Sequence, residues 1–152
     1  MNPLEKIIKD YCKEHKIKIV KKFGRATGRC YVDERIIHIP KDFSKEENLI
    51  VALHEIAHII KYANCKKPLY IEEYRCDRWA LKEAKPYISD KTYYNYSQRS
   101  MTYIIYHICV EIEKKGLEIE QIPQEIVNYV KDHILWYQVT STMKKGYIPD
   151  LF

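Results

Sequence analysis

The segment LIVALHEIAHIIKY, residues 49–62, most constrains how this chain can fold. Nearly every position is apolar, which predicts a helix in the middle of the protein. Three ionisable side chains nevertheless lie at its centre, namely His54, Glu55 and His58. An unpaired charged group in an apolar interior costs on the order of several kcal/mol, so these residues require a compensating partner.

The spacing of these three residues indicates a metal site. Residues four apart lie one above the other on a helix, so His54 and His58 point the same way and can bind one ion. Glu55 lies about 100° around the helix from His54 and can reach a water on that ion. Two imidazoles and a carboxylate, with the fourth position open for water, suit Zn²⁺. A chance match is the alternative, but a solvent-facing helix would have polar neighbours, and these neighbours are apolar.

The segment IEEYRCDRWALKEA, residues 71–84, contains the candidates for a third ligand. Glu73 and Asp77 are four apart on a predicted helix and share a face, so Glu73 is the assigned ligand. Asp77 would lie one turn behind it, placed to accept a hydrogen bond from a ligand imidazole. Glu72 faces elsewhere and is the fallback. The two glutamates also suit an ordinary solvated helix start, because acids favour the first turn of a helix.

The five cysteines contain no CxxC pair. An odd, scattered set favours reduced thiols over a disulfide framework. Cys65 and Cys76 flank the predicted metal site, and either can bind zinc in principle. Their spacing does not fit a compact site with the helix pair, so both are interpreted as small buried residues.

The length, hydropathy and charge of the chain limit the number of domains, the cellular location and the kinds of partner that we expect. We expect one domain over residues 1–152, with a catalytic core at 1–88 and a helical extension at 89–152. No apolar run reaches the ~20 residues that span a membrane, and the N-terminal MNPLEKIIKD lacks an apolar signal segment, which predicts an intracellular protein. The net charge of +5 permits contact with nucleic acid. Because the lysines are spread along the chain, a solvated surface is the favoured interpretation.

The predicted fold class is α+β, a mainly helical domain with a small antiparallel β-sheet near the N-terminus. A first helix begins at Asn2-Pro3. Strands are predicted at residues 16–20, 30–32 and 35–39, the last two joined tightly at Asp33-Glu34. The metal-binding helix is predicted from a Ser44/Glu47 capping box to about Asn64. Three further helices are predicted at Leu69 to Lys85, from Ser89-Asp90 to about Lys115, and from Pro123 through Trp136.

Together these motifs resemble the zincin metallopeptidases of the gluzincin type, and more narrowly the ImmA/IrrE-type metallo-endopeptidases. In that family, HExxH on one helix is completed by a glutamate of an ExxxD or ExxAN motif on a following helix. The matching stretch here is EYRCD, residues 73–77, continued as RWA, and the strand IIHIP precedes the first motif. The resemblance spans Tyr31 to Ala84. Ala57 stands where glycine is usual, Cys76 where alanine is usual, and Trp79 replaces phenylalanine.

The predicted chemistry is zinc-dependent hydrolysis of a peptide bond. Glu55 would act as general base and then as general acid. The developing oxyanion needs a further hydrogen-bond donor, and several residues are candidates: His107, Tyr103, Tyr106, Tyr93, Tyr94 and Tyr96. The strand at 35–39, if it forms a sheet edge, could hold an extended peptide, although an ordinary structural strand explains it equally well.

The resemblance implies an intracellular, in part phage-encoded family whose substrates include transcriptional repressors, with roles in stress and phage regulation. A binding module is the rival class, in which zinc serves folding and the basic surface contacts nucleic acid or a protein partner. Glu55 counts against it, because a structural site does not use a general base. A zinc hydrolase acting on a non-peptide substrate is the third possibility.

Overall fold

The computed structural model describes residues 1–62 and 67–144. Most of these residues are helical, and a small sheet lies near the N-terminus, which confirms the mainly helical α+β class. None of the helices described is long and apolar enough to cross a membrane. The elements are α1 (Pro3–Glu14), β1 (Lys18–Phe23), β2 (Arg29–Tyr31), β3 (Ile36–Pro40), α2 (Glu46–Ile60), α3 (Leu69–Ala84), α4 (Asp90–Lys115), α5 (Gln124–Val130) and α6 (Ile134–Met143).

The sheet is mixed, so the prediction of an antiparallel sheet was wrong. Its strand order is β1-β3-β2. β2 pairs antiparallel with β3, whereas β1 pairs parallel with β3, with Lys18 opposite Ile36. The reason is topological: β2 and β3 form a tight hairpin, and β3 lies between β2 and a first strand that runs opposite to β2. The most apolar of the three strands therefore occupies the centre, where both of its edges are paired.

The central place of β3 decides between the two interpretations of residues 35–39: the segment is an internal structural strand and not a sheet edge that could hold a peptide. The backbone of β3 is bonded on one side to β1 and on the other to β2. No ladder groups remain for an added strand at this position. The free edges of the sheet belong to β1 and β2.

The described residues divide into two compact units, which cut across α3 and α4. The first unit contains residues 1–62 and 75–96. In it, α2 packs on β3, β2 and α1, and the inward side chains of β3, Ile37 and Ile39, are 0% and 1% exposed. The sheet face that carries Ile37 thus forms the surface on which α2 rests.

The first helix begins as predicted. The side chain of Asn2 accepts a hydrogen bond from the backbone N–H of Leu4 at 2.8 Å, and Pro3 occupies the first turn. Ile8 and Cys12, four residues apart on one face of this helix, are buried. The side-chain cap and the apolar stripe together fix the position of α1 against the core.

The start of α2 differs from the predicted capping box. The cap residue is Lys45, and it makes no side-chain cap bond. Ser44 instead donates from its backbone N–H and its hydroxyl to Asp42 Oδ1, at 2.9 Å and 2.6 Å. Ser44 bonds to Asp42 and does not cap α2, because the Asp42 carboxylate lies only two residues away and closes a local turn with it. The helix ends at Ile60, and the predicted end near Asn64 lies outside the described residues.

The second unit contains residues 67–74 and 97–144. Its core consists of the apolar stripe of α4, centred on Ile104, Ile105 and Ile108, together with side chains from α5 and α6. Gly116 ends α4 with a φ of 68°, a conformation that glycine adopts without strain.

The helix predicted from Pro123 through Trp136 is two helices, α5 and α6. His133 separates them, because its Nδ1 accepts a hydrogen bond from the backbone N–H of Leu135 and so caps a new helix. Ile126, Val130 and Ile134 lie one turn apart in the sequence, but only the first two are buried, and Ile134 is 64% exposed. After the break, Trp136 and Val139 provide the buried side of α6 instead.

The two faces of β3 give a stability prediction. Ile37→Ala should lower the free energy of unfolding by roughly 2–5 kcal/mol, because the truncated side chain leaves a cavity in the core. Ile36→Ala, on the opposite face and half-exposed, is the matched control and should cost about 1 kcal/mol or less. Urea denaturation followed by circular dichroism measures both values. Equal losses of unfolding free energy would contradict the conclusion that Ile37 faces the core and Ile36 faces away from it.

Candidate metal centre

Helix α2 carries His54, Glu55 and His58 into the protein interior. Eleven of its fifteen residues are buried. Glu55 and His58 are each 8% exposed, and the side chain of His54 is 12% exposed. The expected combination of ionisable side chains in an apolar helix is therefore present.

The two imidazoles converge on one point. His54 Nε2 and His58 Nε2 are 3.1 Å apart, and the ring planes are inclined by 76°. Two nitrogens bound to one tetrahedral ion at Zn–N distances of 2.0–2.1 Å lie about 3.3 Å apart. The observed spacing is thus close to that of two ligands of a single ion.

Helix α3 provides the carboxylate. One ligand atom from each of His54, His58 and Glu73 lies within 4.8 Å of the others, and no other such metal-binding group occurs in residues 1–62 and 67–144. Glu73 is buried, with 8% of its surface exposed. Glu72 is half-exposed and is not part of the group. The residue chosen from helical spacing is the one that the fold brings to the histidines.

Asp77 lies behind His54, as its position one turn after Glu73 predicts. Its Oδ1 is 2.6 Å from His54 Nδ1, and Asp77 is 3% exposed. A contact this short requires a proton between the two atoms. A proton on Nδ1 of a neutral ring leaves the lone pair of Nε2 available to a metal. The hydroxyl of Tyr96 donates to the same Asp77 oxygen at 3.2 Å, so Tyr96 supports Asp77.

These donors fit a divalent transition metal. Two neutral imidazoles and one carboxylate present two nitrogens and an oxygen, a set that Zn²⁺ and similar ions accept. A cation bound at this point would satisfy both nitrogens and the carboxylate in an apolar setting. The three residues are therefore a candidate site for a metal ion.

Gly28 is a site residue that the sequence reasoning missed. It lies in the loop between β1 and β2, and a Cβ built on it would lie 2.7 Å from Glu55 Cγ and 3.0 Å from Glu55 Oε1. The absence of a side chain at Gly28 therefore makes room for Glu55. The signal in the sequence was the pair of glycines in KKFGRATGRC, which predicts a loop but does not reveal what the loop touches.

His107, the first candidate for a further hydrogen-bond donor, belongs to the second unit. Its Nε2 is buried and has no hydrogen-bond partner within the described part of the chain. Burial lowers the pKa of His107, and the charge of Glu73 opposes that shift. Because the charge of Glu73 raises the pKa of His107, the His107 imidazole lies within electrostatic range of this carboxylate. Tyr103 and Tyr106 present ring edges to it, with centroids 4.4 Å and 5.3 Å away.

None of the described cysteines belongs to the candidate metal group. Cys76 is fully buried and Cys65 lies outside the described residues. Cys12 and Cys109 are free thiols. Burial raises the pKa of Cys12 to about 12 and that of Cys109 to about 11. Since a thiolate is the form that binds metal, these two thiols are poor ligands at neutral pH.

Comparison with known proteins returned no match: no family model, no curated protein and no solved structure resembles this chain significantly.

The cluster predicts one metal ion per chain. Glu73→Gln should reduce Zn²⁺ affinity by more than the roughly 10–100-fold that follows loss of an outer hydrogen-bond partner, because a direct ligand is lost. Glu72→Gln, the neighbouring half-exposed glutamate, is the control and should bind as the parent does. Competition with a chromophoric chelator measures the affinities, and circular dichroism checks the fold. Equal binding by both variants would remove Glu73 from the site.

Proposed function

We propose that this protein is a zinc-dependent endopeptidase whose site resembles that of the gluzincin-type zincins, and in particular the ImmA/IrrE-type metallo-endopeptidases. The observation that carries the proposal is the convergence of His54, His58 and Glu73 on one point, with a buried Glu55 on the same helix. A purely structural zinc site is closed by four protein ligands. Three ligands beside an additional carboxylate are typical of a hydrolytic site.

Zinc is the ion that best accounts for the donors. Two imidazole nitrogens and one carboxylate oxygen match the ligands of many catalytic zinc sites, whereas Mg²⁺ and Ca²⁺ prefer oxygen alone. When bound, the zinc would act as a Lewis acid and increase the acidity of a water molecule.

Each side chain has a distinct part in the proposed hydrolysis. Glu55 accepts a proton from the attacking water and delivers it to the departing amine. Asp77 holds the proton of His54 on Nδ1 and fixes the ring in the orientation in which Nε2 faces the ion. Tyr96 donates to Asp77 and limits the rotation of its carboxylate. Gly28 leaves the space that Glu55 occupies.

His107 is the preferred candidate for the donor to the developing oxyanion. Three features support it: its Nε2 has no described hydrogen-bond partner, the charge of Glu73 acts on it, and burial favours its neutral form. A neutral imidazole can donate one hydrogen bond without adding a charge to the site. The rival Tyr96 is a weaker candidate, because its hydroxyl is already bonded to Asp77.

The proposed substrate is a protein, and the family resemblance suggests a regulatory protein such as a transcriptional repressor. A binding module that uses zinc only for folding remains the second candidate. Burial of Glu55 favours the enzyme, since a carboxylate that is 8% exposed and follows His54 directly on α2 stands where a hydrolytic site needs its general base.

Replacement of the proposed general base, Glu55, distinguishes a peptidase from a binding module. Glu55→Gln keeps the size of the side chain but cannot accept the proton, so peptide hydrolysis should fall by roughly 10²–10⁴-fold. Zinc stoichiometry should stay at one per chain. Digestion of a quenched fluorescent peptide library, with zinc measured in parallel, gives both results. Full hydrolysis by the variant, or none by the parent protein loaded with zinc, would contradict the proposal.

The loop glycine gives a second test of the base. Gly28→Ala should lower kcat by roughly 10–100-fold, because the new Cβ displaces Glu55 by a fraction of an ångström or more. Gly24→Ala is the control in the same loop, where a Cβ would meet nothing within 4 Å. Steady-state kinetics on one library peptide compares them. If both substitutions are harmless, the position of Glu55 does not depend on this contact.

A further inference from the structure

The face of the sheet turned away from α1 and α2 has an unusual composition. The strand register arranges six side chains on it as two rows of three, one from each strand. We call these six residues the outer sheet face: Lys18, Ile36 and Tyr31 in one row, and Val20, His38 and Arg29 in the other.

The outer sheet face is open to solvent in the first unit. Lys18, Arg29 and Tyr31 are exposed, and the other three residues are half-exposed. Ile36 and Val20 do not belong to the hydrophobic core, whereas Ile37 and Ile39 on the opposite face do. The side chains of Ile36 and Val20 are thus accessible on this face, next to its charged and aromatic residues.

The outer sheet face carries positive charge and contains no acidic residue. Lys18 and Arg29 lie on opposite edge strands, and neither forms an ion pair with any described residue. Lys21, on the same strand as Lys18 but turned the other way, is bonded to Glu5 of α1. That pairing lowers the pKa of Glu5. The cation on the covered side is therefore neutralised, while the cations on the outer face are available.

The surrounding segment carries the excess positive charge of the protein. Residues 16–41 contain eight lysines and arginines against two acids, a net charge of +6, compared with +5 for the whole chain. Lysines occur throughout the sequence, but acidic residues balance them elsewhere. A local field of this sign attracts polyanions.

We propose that the outer sheet face binds single-stranded nucleic acid. Its two unpaired cations suit phosphates, and the ring of Tyr31, 5.0 Å from that of His38, gives an exposed π surface on which a base can stack. An acidic peptide would satisfy the cations but offers no flat rings to Tyr31. A duplex keeps its base faces inside the stack, so the exposed tyrosine favours an unpaired strand. This surface does not depend on the metal centre.

The direct test is fluorescence anisotropy with a labelled single-stranded thymidine oligonucleotide. Two phosphate contacts predict that the logarithm of the binding constant falls with the logarithm of salt concentration with a slope of about −1.4. The double variant K18Q/R29Q should remove most of that slope and weaken binding about tenfold at low salt. The double variant K13Q/K114Q changes the same charge at exposed helix positions and should bind as the parent protein does.

The aromatic contribution is tested at Tyr31. Tyr31→Ala should weaken binding by roughly five- to hundredfold, and Tyr31→Phe should retain it, because stacking needs the ring and not the hydroxyl. Glu55→Gln should have no effect, which distinguishes failure here from failure of the proposed peptidase. Equal loss of binding in K18Q/R29Q and K13Q/K114Q, or no loss in Tyr31→Ala, would overturn the proposal. Equally tight binding of polyglutamate would assign the face to an acidic protein instead.

Discussion

The buried ionisable groups of α2 and α3 are the constraint on which this structure depends. His54, Glu55, His58, Glu73 and Asp77 lie in a setting built from isoleucine, leucine and alanine, and all are nearly inaccessible to water. Burying such groups singly costs several kcal/mol each, on the order of the whole stability of a small domain. They are tolerated as a group, in which Asp77 forms a hydrogen bond with His54 and a cation at the candidate site would satisfy further lone pairs and charge.

The rest of the first unit serves to hold that group in place. Strand β3 is paired on both sides, which fixes its apolar face as a rigid support for α2. The loop between β1 and β2 then comes close enough to Glu55 that only glycine fits at position 28. At the start of α2, Glu46 accepts hydrogen bonds from Ser89 and from the hydroxyl of Thr92, which ties α2 to the beginning of α4. The hydrogen bonds to Ser89 and Thr92 also lower the pKa of Glu46.

The candidate metal-binding group was predictable from sequence because helical spacing is local. Residues four apart share a face in any α-helix, so the pairs His54/His58 and Glu73/Asp77 follow once the helices are recognised. The pairing direction of β1 was not predictable in this way, since it depends on which strand enters the centre of the sheet. Gly28 was missed for a similar reason: its contact with Glu55 joins residues 27 positions apart. The break before α6 was missed because His133 acts as a helix cap, a role more common for serine, threonine, asparagine and aspartate.

X-ray absorption at the zinc edge of the zinc-loaded protein tests the central claim most directly. Coordination by His54, His58 and Glu73 predicts a first shell of nitrogen and oxygen at about 2.0–2.2 Å, with the multiple-scattering signature of two imidazoles and no sulfur. A sulfur shell near 2.3 Å would assign the ion to cysteine. That result would contradict the assignment of His54, His58 and Glu73 as the ligands.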